Sequence, residues 1–234
     1  MPAPKFLMWG SQYIEGKCVL MEPKGMKDGF ELSEGVPRQK GWPDRVVCAM
    51  NPEFAKDLEL ADNMFGTSLV IISKKLRDVL TDNGVIGVEF LPVQVMDHKK
   101  KLASADYFIL NPPSLVDCID IDASQVKFSP LDPETISRCN ELVLKEAAVP
   151  KDVKVFRPKF LSHHILVRAD LAGQHEHQVD QEGVPGGRAR RLGDLADLTT
   201  GHRGVTEDRP QRRQVVPRQV PARVLPVHQH WTGR

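Results

Sequence analysis

From Ser68 onward the apolar positions fall into short runs that switch between two periods. SLVII (68–72) is a β-branched run of strand type, Ser73 follows as a helix N-cap, and Leu76, Val79 and Leu80 stand at i, i+3, i+4 on one helical face. Asn83-Gly84 closes that helix, and GVEFLPVQV (87–95) returns to strand, so the stretch reads as a β-α-β unit of about thirty residues, the minimum for a crossover. Further strands are predicted at DYFIL (106–110), LVDCIDI (115–121), ELVL (141–144), VFR (155–157) and HHILV (163–167). Asn111-Pro112-Pro113 forms a turn between the first two, because a prolyl pair removes two ladder donors. The pattern is weaker upstream, where FLMWGSQY (6–13) reads as a strand and GWPD (41–44) as a turn anchored by an aromatic. Together these elements predict an α+β fold with a strand-rich centre, at least one β-α-β unit and few helices.

The pattern breaks near Gly173. HILVRADLA (164–172) repeats the strand-then-helix order of LVIISKKLR (69–77), but nothing like NGVIGVEF follows it. Residues 172–234 contain no lysine, ten arginines and seven acids, and Gly and Pro supply 13 of the 63 positions. Beyond Phe160 the only aromatic is Trp231, and the last Ile is Ile165. Such a segment has little to bury, so the expected organisation is one α+β domain over 1–172 followed by a disordered or frame-shifted Arg/Gly/Pro-rich tail over 173–234. Overlapping codons in the +1 frame permit the missing Lys, Asn, Ile and aromatic types, with a Gly-x-x-Gly-Val spacing that matches Gly84, Gly87 and Val88. The expectation from that coincidence is a loss of reading frame near Gly173.

A chain of 234 residues with 41% apolar content is long enough to bury a core. No run approaches the roughly 18 apolar residues of a membrane span, and MPAPKFLMWG lacks the apolar core of a signal peptide, so the expected compartment is the cytoplasm. Cys18, Cys48, Cys118 and Cys139 are widely spaced and read as reduced, mostly buried thiols.

Several stretches offer chemistry and are weakened by their neighbours. A strand running into Asn111-Pro112-Pro113 resembles the catalytic loop of amino methyltransferases, but Ser114 stands where a base-stacking aromatic is needed, and DNMFGTS (62–68) has one glycine where a cofactor loop shows several. Asp117, Asp120 and Asp122 have the look of metal ligands, yet in a strand 120 and 122 share a face that 117 does not. A degenerate methyltransferase-like or metal-dependent enzyme built on these residues is the alternative reading. His163-His164 would point to opposite faces of a strand, and His175-Glu176-His177 falls in the tail. Lys99-Lys100-Lys101, beside His98, reads as a solvated hairpin loop. The tail's arginines are diluted by acids and lack interleaved aromatics, which argues against nucleic acid as the partner.

The order of motifs carries more than any one of them. GWP at 41–43, LVIISKKLRDVL, NGVIGVEFLPV, DYFILNPPSLVDCIDIDAS, ELVL with a proline at 150, VFR and HHILVRADL together resemble the Myxococcus-type immunity proteins of bacterial polymorphic toxin systems, a DUF1629-like family, over about residues 30–172. The resemblance implies a non-catalytic cytoplasmic protein that binds and neutralises a cognate toxin, with no cofactor. The candidate toxin contacts are Asp117, Asp120 and Asp122, offered to a basic cleft.

Overall fold

Where the apolar runs are longest, the chain forms strands buried on both faces. The computed structural model describes residues 5–139 and 141–171. In chain order it contains β1 (Phe6–Met8), α1 (Phe30–Ser33), β2 (Val47–Ala49), β3 (Ile71–Ser73), α2 (Lys74–Asp82), β4 (Glu89–Met96), β5 (Leu102–Asn111) and β6 (Leu115–Val116). These are followed by α3 (Ile121–Ser124), β7 (Lys127–Phe128), β8 (Ile136–Arg138), β9 (Val155–Pro158) and β10 (Leu166–Arg168). One sheet has the order β1-β10-β9-β6 and a second the order β2-β4-β5-β3, while β7 and β8 pair as a separate ribbon. The expected α+β class, strand-rich with few helices, holds.

The helix predicted after Ser73 forms for the predicted reason. Ser73 is extended, its hydroxyl accepts a hydrogen bond from the Leu76 amide at 3.1 Å, and Leu76 and Leu80 are buried beneath the helix. Gly84, at φ +69, lies just past the C-cap Asn83, in the left-handed region that glycine enters without strain. The unit that α2 joins is a split one. Strands β3 and β4 both run antiparallel to β5, which lies between them, so the crossover skips one strand. The β4–β5 hairpin turns at Asp97, whose carboxylate accepts from the Lys99 and Lys101 amides, both at 2.8 Å, and Lys99–Lys101 are exposed as expected. Pro92 is tolerated in β4 because the β2 pairing starts only at Gln94.

Alternation sorts successive residues into three apolar clusters. Ile71 and Ile109 enter a cluster with Leu20, Leu32, Met64, Leu91 and Val93, on one face of the second sheet. Their neighbours Ile72 and Leu110 enter another with Leu76, Leu80, Val155 and Val167. On the first sheet, Phe156 and Leu166 face a third cluster with Phe6, Cys118, Ile119 and Leu144. The middle cluster thus joins both sheets through α2, and the runs IIS, FIL and ILV are continuous because each face has its own layer to fill.

Two predicted strands are cut short. LVDCIDI is a strand only at Leu115–Val116 and then turns into α3, while ELVL contributes a single bridge from Leu144 to Ile119. The FLMWGSQY strand is confined to Phe6–Met8. His163 lies in a turn and His164 after it, ahead of β10 rather than inside it. Strand β10 runs directly into helical residues at 169–171, as β3 runs into α2. Trp42 does anchor the GWPD turn, donating its indole N–H to the Pro92 carbonyl at 2.9 Å. Cys18, Cys48 and Cys118 are buried free thiols and Cys139 is a half-buried one. The expected tail, His175-Glu176-His177 and the frame change near Gly173 all lie outside the described residues.

Candidate functional site

The acidic turn is shaped by what must be buried on either side of it. Cys118 and Ile119 both enter the cluster around Phe156, so the chain abandons strand alternation after Val116. The Cys118 carbonyl accepts from the Lys145 amide at 2.7 Å, and the Asp120 amide donates to the Val143 carbonyl at 2.9 Å. Asp120 is extended and caps α3, its Oδ1 accepting from the Ala123 amide at 3.1 Å. Buried Ser124 locks the far end, donating to the Val143 carbonyl and accepting from the Val143 amide at 3.0 Å. Asp117 and Asp122 are left exposed, with Asp122 in the first turn of α3. Asp120 and Asp122 therefore sit on one capped turn and Asp117 in the link from β6 that leads into it, in place of the two strand faces expected. Among the described residues no group of three or more His, Cys, Asp or Glu side chains could hold a metal ion.

Asn111 is turned inward. It is fully buried, and its Nδ2 donates to the Val36 carbonyl at 3.0 Å and to Glu89 Oε2 at 2.8 Å. Glu89 also accepts from the Arg38 and Gln39 amides at 2.8 and 3.0 Å, so one carboxylate ties β4, β5 and the 36–39 segment together. The methyltransferase-like alternative needs that amide free to hold a target amine. Here its donors are spent on the fold, and Ser114 beyond the prolines is exposed with no ring.

The polar residue that sequence reasoning missed is Arg157. It is 3% exposed in β9, its Nη1 donates to the Ser162 carbonyl at 2.6 Å, and its Nε has no protein partner. Burial lowers its pKa to about 10. The same burial, with His163 and Arg157 nearby, lowers the pKa of His164. An arginine between the apolar pair Val155-Phe156 and Pro158 was the available signal. Above this region an open groove of about 580 Å³ runs between Met26, Phe30, Ser33, Leu69 and His163.

The profile of the immunity protein family (Imm11) matches residues 11–183. The chain belongs to this family. No curated protein matches it. The Imm11 match takes in every strand but β1, together with the acidic turn, the Asn111–Glu89 network and Arg157. It agrees with the resemblance read from motif order and extends it toward both ends. Among the described residues no helix is long and apolar enough to cross a membrane.

Proposed function

We propose that this Imm11-family chain is a cytoplasmic immunity protein that binds a cognate toxin and neutralises it by occupying a surface, without catalysing a reaction. Family membership carries this reading. The fold supports it, because the Asn111 amide is closed off, Asp122 is exposed on a helix end fixed by Asp120 and Ser124, and Asp117 is exposed in the link leading to it. Fixed exposed carboxylates favour fast, oriented association with a basic surface. The reading also includes a change of frame near Gly173.

The test is co-expression with the toxin encoded by the neighbouring gene. The expected result is rescued growth and a complex that co-elutes on gel filtration; failure of both overturns the proposal. Asp117→Asn with Asp122→Asn should slow association and flatten its salt dependence, and unchanged kinetics would remove the acidic turn from the interface. Sequencing the gene in close relatives tests the frame, and an uninterrupted frame through codon 234 overturns that part.

A further inference from the structure

A second exposed feature lies where residues 13–17 meet residues 53–59. Tyr13, Ile14 and Leu58 are 45%, 50% and 57% exposed. Single exposed apolar side chains are ordinary, whereas a contiguous group marks a contact surface. Contiguity follows from the backbone. The Cys18 amide donates to the Glu59 carbonyl at 2.8 Å and the Glu59 amide to the Gly16 carbonyl at 3.0 Å, which sets the turn bearing Ile14 against the segment bearing Leu58.

Tyr13 is held in place before any partner arrives. Its hydroxyl donates to Asp57 Oδ2 at 2.8 Å, while Asp57 Oδ1 accepts from the Gly16 amide at 3.0 Å. Its ring packs at 5.5 Å from Phe54 and 6.4 Å from Phe65. A tyrosine fixed in this way loses little rotamer entropy on binding, which is the character of an interface anchor. The exposed rim is acidic. Glu15, Glu53 and Glu59 stand against Lys17 and Lys56, and Lys17 is already paired with Glu59 at 2.7 Å, while Asp57 is buried beneath and spent on Tyr13 and Gly16.

We infer that the Tyr13–Ile14–Leu58 patch is a docking surface for the toxin, and that the toxin offers it an apolar pocket ringed by Lys or Arg. The inference rests on the toxin-binding reading and adds where contact is made and by what chemistry. The apolar centre supplies affinity, and the carboxylate rim selects a basic partner and rejects an acidic one.

The experiment is calorimetric titration of the full chain with the toxin domain encoded by the neighbouring gene. Ile14→Lys with Leu58→Lys should weaken binding by about 100-fold or more, and Tyr13→Ala by about 30-fold. Leu58→Gln is the milder variant should the double change disturb folding, with about a 10-fold loss expected. Ile86→Lys, at another exposed apolar position, should stay within about 3-fold of wild type. Wild-type binding that survives the double change, or Leu58→Gln if that is the folded variant, within about 3-fold overturns the patch and leaves the toxin-binding reading standing. Absence of wild-type binding overturns both.

Discussion

Asn111 carries more of the fold than its exposure to chemistry would suggest. Its amide is the only donor of the two side chains toward Glu89, and replacing it with a carboxylate sets two acids 2.8 Å apart in a closed site. Asn111→Asp should therefore cost about 3 kcal/mol at neutral pH in urea unfolding, and less on acidification, where the two carboxyls can share a proton. A loss that does not shrink on acidification would show that packing, not charge, sets the cost. The buried thiols act in the same direction at higher pH. Burial pushes Cys18 up to about 11 and both Cys48 and Cys118 up to about 12, from 9 in the open chain. Below pH 9 the thiols are protonated in both states and cost nothing. Between pH 9 and 12 the unfolded chain releases protons that the folded chain retains, so stability falls as pH rises through that window. Urea midpoints measured from pH 7 to 11 should decline above about 9, and the decline should be shallower in Cys48→Ala once its own lower starting stability is subtracted.

At the scale of elements, the best-read part of the sequence was the part whose local chemistry and tertiary role agree. Ser73, Leu76, Leu80 and Asn83-Gly84 each do alone what they do in the fold, and the helix came out at its expected place. Ser73→Ala removes the 3.1 Å cap and the hydroxyl's 2.6 Å bond to Asp62, and should cost about 1 to 2 kcal/mol, read as a lower urea midpoint at unchanged slope. LVDCIDI failed for the converse reason. Its composition favours a strand, but Cys118 and Ile119 are both drawn into one cluster, and Asp120 is worth more as a cap than as a strand residue. Strand β2 and the interposition of β5 were invisible because they are fixed by partners far along the chain, and the β7–β8 ribbon because its strands are only two and three residues long and mostly exposed. The acidic residues were legible as residues, while the capped turn at Asp120–Ser124 was not, and Arg157 and the Tyr13 patch depend on neighbours that no local window contains.

Across the whole molecule, the cluster shared by α2 and both sheets is the joint on which cooperativity depends. Leu80 is 1% exposed and lies in that cluster among Val155, Ile165 and Val167 of the first sheet's segment and Leu110 of the second. Leu80→Ala should cost about 2 to 5 kcal/mol. Because the cavity lies between the sheets, the melt should also broaden, with fluorescence from Trp9 and from Trp42 parting company; a single sharp transition in both would show that the sheets remain coupled without it.

The first sheet gains its edge strand through the pairing of Phe6 with Arg168, about 160 residues apart. Its contact order is high, whereas the second sheet is complete within the span from Val47 to Asn111 and contains a β4–β5 hairpin. On a ribosome adding about 5 to 20 residues per second, β1 waits roughly 10 to 30 s for β10, its apolar edge without a partner. Folding should accordingly be vectorial, with pulsed hydrogen exchange protecting β4 and β5 amides before those of β1 and β10. In the cell, that interval is when a nascent chain of this protein depends most on a chaperone.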